Sequence, residues 1–189
     1  MSVADPVGLV RDRGLDLWRA KRGRLNRRFK AGAVGAGLLG LTILIPHAPR
    51  LVWNASSSAP VGLYAIHPGQ KPLRQDFVLA VLAEPWRGLA ARRQYLPANV
   101  PLVKRVAAAD GDLVCASGRL VTINGALVAR RLRSDAHGRL LPWWEGCHRL
   151  GEGEIFLLAR DQAASFDGRY FGVTLLDDVI GTARLLWAK

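Results

Sequence analysis

Hydrophobic residues are distributed along this chain in two different ways. One continuous apolar run, Ala31–Ile45 (AGAVGAGLLGLTILI), holds fifteen residues without a charge. Beyond residue 60 the apolar residues come in short runs bounded by Gly, Pro or Asp, the pattern of strands rather than helices. Gly62–Ile66, Phe77–Leu82, Leu102–Ala107, Ile155–Ala159 and Val179–Trp187 are the predicted strands. Leu120–Val128 is the clearest element, because its two β-rich halves flank Asn124-Gly125. That pair predicts a two-residue hairpin turn with φ > 0 at both positions. Glu84–Pro101, rich in Pro, Arg and Gly, is predicted as loop with one helical turn around Gly88–Gln94. Ser134–Glu145 (SDAHGRLLPWWE) is a second irregular excursion, and no internal repeat or low-complexity tract appears. The expected architecture is one mainly β domain behind one N-terminal helix.

As a helix the run 31–45 would be roughly 22 Å long, short of the roughly 30 Å hydrocarbon core of a bilayer. Residues 46–53 (PHAPRLVW) extend it, with Arg50 able to snorkel and Trp53 suited to the interface. Charge changes the picture here. The net charge of +12 invites a nucleic-acid partner, but residues 1–30 carry nine Lys/Arg against three Asp, half of the excess. A basic block before an apolar run reads as topology, with the positive side retained in the cytoplasm. Three segments follow: a basic cytoplasmic head (1–30), a transmembrane signal anchor (31–51) and an extracytoplasmic domain (52–189). A cleaved signal peptide has the same order of charge and apolar core, and a buried Gly/Ala-rich core helix is the third reading. The head faces anionic inner-membrane lipid in the anchored reading. No nucleic-acid partner is expected, since the domain lacks the aromatic–basic interleaving of single-strand binders.

Cys115 and Cys147 are the only cysteines, and both fall in the segment assigned to the outside, where disulfides persist. Paired, they close a loop worth about 3–4 kcal/mol on the loop-entropy account; two buried free thiols are the alternative. The four histidines show no metal-ligand spacing, and no phosphate-binding glycine loop is present, so neither metal nor cofactor is expected. His148, beside Cys147, reads as a surface histidine.

Two features remain for chemistry: the serine turn Asn54–Tyr64 (NASSSAPVGLY) and Lys104 within Pro101–Val106 (PLVKRV). Strand alternation puts Lys104 on the face of Leu102 and Val106, while Arg105 shares the side of Val103. An ammonium ion on an apolar face is destabilised, so the lysine pKa falls. A serine needs a base to become a nucleophile, and a lysine serves only when neutral. At the ordinary value of about 10.4 only about one lysine in 2,500 is neutral at pH 7; a fall of about three units brings it into range.

NASSSAPVGLY (54–64), PLVKRVAAADGD (101–112) and SFDGRYFG (165–172) resemble, in order and spacing, the conserved boxes of type I signal peptidases, the S26 family. The Ser-x-Pro-x-Gly-Leu-Tyr form and the closing RYFG are most similar to its conjugative-transfer, TraF-type branch. The resemblance runs from about residue 50 to the C-terminus and implies a signal-peptidase-like antiparallel β-sheet fold. It implies Ser58 as nucleophile and Lys104 as general base. It also implies Ser56 as a hydroxyl that helps the Ser58 amide hold the oxyanion. Ser165 and Asp167 match the box that supports the lysine, with Arg169 as the partner of Asp167, and Gly111-Asp112 matches a structural turn. Ser57 stays open as a second candidate nucleophile. Two departures stand out. Two steps separate serine from proline where housekeeping enzymes have three, and Gln75-Asp76 replaces the usual Gly-Asp before Phe77.

By resemblance the chain is a single-pass inner-membrane serine endopeptidase with its catalytic domain in the periplasm. It cleaves exported precursors after small residues, with alternate side chains of an extended substrate read by shallow pockets. The TraF-type branch implies a pro-pilin-like substrate, with or without cyclisation, and conjugation or type IV secretion components as partners. The alternatives are a housekeeping signal peptidase and a non-catalytic β-domain scaffold of such an assembly.

Overall fold

The computed structural model describes residues 48–189 together with six helical positions, Lys30, 32–34, 36 and 37. The segment expected to anchor the chain lies mostly outside the described residues, and its last residue, Leu51, opens the first strand. Among the described residues no helix is long and apolar enough to cross a membrane.

Residues 48–189 form one compact unit of two antiparallel sheets. The strands are β1 (Leu51–Asn54), β2 (Gly62–His67), β3 (Phe77–Ala80), β4 (Leu102–Ala108), β5 (Leu113–Ser117) and β6 (Leu120–Ile123). They continue as β7 (Ala126–Arg130), β8 (Gly146–Arg149), β9 (Glu154–Leu157), β10 (Thr174–Leu175) and β11 (Val179–Ala188). Two short helices, α1 (Trp86–Arg92) and α2 (Gly168–Phe171), lie between them. The larger sheet runs β1-β2-β11-β3-β4-β9-β10 and the smaller β7-β6-β5-β8.

Three buried clusters follow from alternation along the strands. Val78, Ala80, Leu102, Val106 and Leu157 share one cluster with Ala90 of α1 and with Phe171. Tyr64, Ile66, Leu79, Val103 and Ala183 form another, so Leu102 and Val106 face away from Val103 as period two requires. A third cluster joins the sheets, with Ala108 and Phe156 of the larger packed with Val114, Val121 and Ile123 of the smaller.

The predicted strands at Gly62, Phe77, Leu102, Ile155 and Val179 are present with ends shifted by a few residues. Asn124 and Gly125 take φ 51 and 80, as the hairpin turn requires. Gly111 has φ 84, and Asp112 closes the β4–β5 turn by accepting from the Ala109 amide at 2.9 Å and Asn124 Nδ2 at 2.8 Å. Gln75 takes φ 76, left-handed backbone that a glycine adopts without strain. Cys115 and Cys147 stand opposite each other on β5 and β8 and are joined, so free thiols are ruled out. His148 is exposed and lies 2.8 Å from Glu154.

Four strands were not legible. β8 (GCHR) is exposed along its whole length and carries no hydrophobic pattern; pairing with β5 makes it a strand. β1 reads as the apolar tail of the preceding run, β5 is short, and β10 has only two residues. The helix in the Glu84–Pro101 stretch starts at Trp86, two residues before the expected turn, and spans seven residues.

Gly62 starts β2 where β11 is bulged between Leu185 and Trp187. A Cβ there would lie 2.0 Å from the Trp187 carbonyl oxygen, too close to another backbone to be relieved by a side-chain shift. Gly62→Ala is therefore expected to destabilise by about 1–3 kcal/mol in denaturant titration, the range of overpacking. An unchanged midpoint would show that β11 can retreat.

Candidate active site

The serine turn connects β1 to β2, whose register pairs Asn54 with Gly62 and so leaves Ala55–Val61 as the loop. Ala59 is buried in the cluster of Tyr64 and Val103, which pins the loop to the core. Asn54, also buried, donates to the carbonyls of Ser56 (2.9 Å), Ala59 (3.1 Å) and Pro60 (3.1 Å), and its Oδ1 accepts from the Ser56 amide at 3.1 Å. Within this frame the Ser56 and Ser58 hydroxyls are 3.0 Å apart, and the Ser58 amide donates to Ser56 Oγ at 3.3 Å.

Lys104 sits mid-strand in β4, opposite Val78 of β3, and is only 5% exposed. Arg105 is half-buried on the other face, its guanidinium 4.4 Å from the centre of the Phe77 ring. Burial is the main cause that pushes the Lys104 pKa down to about 8. The Asp167 carboxylate opposes the shift and the Arg169 guanidinium adds to it. Lys104 Nζ donates to Ser165 Oγ at 2.5 Å.

Ser165 leads directly into the ion pair behind it. Asp167 and Arg169 are essentially fully buried, with Arg169 Nε 2.8 Å and Nη2 3.0 Å from the two carboxylate oxygens. Asp167 also accepts from the Ala159 amide at 3.0 Å, and Arg169 donates to the carbonyls of Ala159 (2.6 Å) and Ala163 (3.1 Å). Each charge thereby finds the partners that burial demands. The pair thus ties the loop carrying Ser165 to the end of β9. Gly168 fits between Leu157 and Phe156, where a Cβ would lie 2.7 Å from the Leu157 oxygen.

Ser56, Ser57, Ser58, Lys104 and Ser165 all line one cavity of about 610 Å³. Asp167, Arg169 and the Cys115–Cys147 bridge do not line it. Among the described residues no hydrogen bond joins Ser58 to Lys104; the lysine is bonded to Ser165 and Ser58 to Ser56. The irregular stretch 134–145 supplies part of the cavity wall through Asp135, His137 and Leu141. Asp135 accepts from the Tyr95 hydroxyl at 2.5 Å and from Arg139 Nε at 2.6 Å. These two bonds, with those from the amides of His137 and Arg139, outweigh the desolvation of Asp135 and hold its carboxyl well below the usual range. No periodic signal marked this wall, because one carboxylate and not a ladder organises it. Among the described residues no group of acidic, His or Cys side chains is arranged to hold a metal ion.

Residues 27–188 match the family model for signal peptidase, peptidase S26. The chain belongs to the S26 signal peptidase family. It is thus a serine peptidase, a hydrolase of peptide bonds. Two relatives named plasmid transfer protein TraF, both from Escherichia coli, support the same placement. One is 32% identical over 162 residues, covering 79% of this chain and 89% of the relative. The other is 30% identical over 178 residues, covering 87% and 99%. A signal peptidase I from Enterococcus faecalis V583 aligns at 20% identity with a TM-score of 0.34, covering 60% of this chain and 97% of that structure.

Proposed function

We propose that this S26 peptidase works through a Ser58–Lys104 dyad and matures an exported precursor, a pilin-like subunit of a conjugative apparatus, at the outer face of the inner membrane. The observation that carries the reading is the buried Lys104 on the wall of the cavity that also holds the serine turn. Burial there brings the neutral amine within reach of physiological pH. The relatives' role in plasmid transfer supports the choice of substrate.

In this mechanism the Lys104 amine leaves Ser165 and takes the Ser58 proton as Oγ attacks the scissile carbonyl carbon. The oxyanion draws on the Ser58 amide, which Ser56 Oγ occupies in the free protein. Substrate entry therefore requires the Ser56 hydroxyl to turn and donate to the oxyanion, a contribution of about 3–4 kcal/mol in other hydrolases. The Lys104 ammonium returns its proton to the leaving amine, and water or a second amine resolves the acyl-enzyme. Water completes hydrolysis; the precursor's own amine closes a ring. The basic head 1–30 and the segment 31–51, built on the apolar run 31–45, act as cytoplasmic flank and membrane anchor, keeping the serine turn close to precursors as they emerge.

The test is incubation of detergent-solubilised protein with candidate pilin precursors, followed by mass analysis. A peptide phosphonate ending in alanine is used in parallel to trap the nucleophile. The expected outcome is cleavage after a small-x-small sequence and a covalent adduct on Ser58, with loss of one water from the product if the ring closes. An adduct on Ser57 would overturn the nucleophile assignment, and an intact precursor the substrate.

A further inference from the structure

The most densely bonded side chain at the serine turn is one to which the dyad mechanism assigns no part. Asn54 is 6% exposed and ends β1, and four hydrogen bonds tie its carboxamide to the loop that follows. Its bond from the Ser56 amide is an Asx turn, which sets the backbone of Ser56 two residues on. Nδ2 meets three carbonyl oxygens with two hydrogens, so one of these bonds is shared and no donor capacity is left over. Pro60 O receives a second donor from the buried Tyr64 hydroxyl at 2.8 Å. A seven-residue connection between paired strands would otherwise leave these carbonyls without partners.

We infer that Asn54 is a positioning residue for the peptidase reaction. It folds the loop around its carboxamide so that the Ser56 hydroxyl and the Ser58 amide and hydroxyl are held together at the cavity. The inference rests on the Ser58–Lys104 reading and adds to it what keeps the nucleophile in place. Asn54 acts through Ser56, the one residue in the turn that both accepts its donation and donates to it. Ser56 Oγ in turn contacts Ser58 at two atoms. Asparagine meets both demands, since it offers an amide donor and a carbonyl acceptor on a stem short enough to reach its own loop. Aspartate keeps the shape and the acceptor but turns a second oxygen toward three carbonyls. Alanine keeps neither.

The experiment compares Asn54→Asp and Asn54→Ala with the parent chain in detergent. Melting temperature, kcat and KM on a precursor peptide, and the pH–rate profile are measured. Reactive sites are titrated with the peptide phosphonate, and the adduct is mapped. A kcat per titrated site lowered by about 10–100-fold in both variants is expected. KM should stay within about threefold and the half-maximal pH near that of the parent, since Lys104 is untouched. A folding role alone would lower the number of titrated sites and leave the rate per site unchanged, and that result overturns the inference. Failure of both variants to fold overturns it as well, in favour of a purely structural asparagine. If the parent's adduct maps away from Ser58, the dyad reading fails first and the inference falls with it. An adduct on Ser58 with an undiminished rate in Asn54→Asp removes the inference alone.

Discussion

Lys104→Met is expected to lower the rate of precursor cleavage by roughly 10²–10⁴-fold while leaving the protein folded and more stable at neutral pH. The rate loss follows from removing the proposed base, and the gain in stability follows from where Lys104 sits. With its pKa pushed down to about 8 by burial, the Lys104 ammonium is disfavoured in the folded chain relative to the unfolded one. The sign is that of a depressed lysine. The penalty is fully present below pH 8, is relieved as pH rises, and has vanished near the ordinary value of about 10.4. Its size at neutral pH is roughly 3 kcal/mol, so methionine, which keeps the apolar stem, gains up to that amount. Denaturant titration at several pH values should show the gap between variant and parent narrowing between about pH 8 and 10.4. The parent's cleavage rate should rise with pH to a half-maximum near 8 and then level off. An acid-shifted optimum, or a methionine variant that cuts normally, would remove Lys104 from the mechanism.

Asp167→Ala is expected to cost about 3–5 kcal/mol, because it leaves the Arg169 guanidinium buried without its counter-charge. Two carbonyl oxygens remain to Arg169, while the Ala159 amide loses its acceptor. For a domain of this size the fall in Tm is on the order of 10–20 °C. The same substitution reaches the cavity electrostatically. Asp167 favours the Lys104 ammonium, so its removal should move the half-maximal pH below that of the parent. Thermal melts and the pH–rate profile check the two arms separately. A loss under about 1 kcal/mol would mean that the loop rearranges to expose Arg169.

The fold was legible where a short apolar run is bounded by turn residues or one turn has a chemical requirement. Phe77–Ala80 and Val179–Ala188 stand out as apolar runs, and Asn124-Gly125 as a turn. It was illegible where pairing alone makes the strand, as in β8, whose residues are all exposed. The Tyr95–Asp135 contact in the cavity wall belongs to the same class, since its partners are 40 residues apart and share no period.

For the candidate site, the residue pattern together with the family resemblance put forward the serine turn, Lys104 and the Ser165–Arg169 box, and strand alternation aimed Lys104 at an apolar face. Period two decides a side chain's face without knowledge of what lies there. Family membership, too, was legible, because three short boxes stand in the order and spacing of the family's. Only the tertiary structure decided that the lysine is bonded to Ser165, that Ser56 occupies the Ser58 amide, and that the Asp167–Arg169 pair expected from the resemblance is fully buried. It alone made Asn54 the centre of the turn. The physical reason is that burial and hydrogen-bond pairing belong to neighbours brought together by the sheet. Lys104 and Ser165 are 61 residues apart, and no local pattern encodes their pairing or how deeply the lysine is buried.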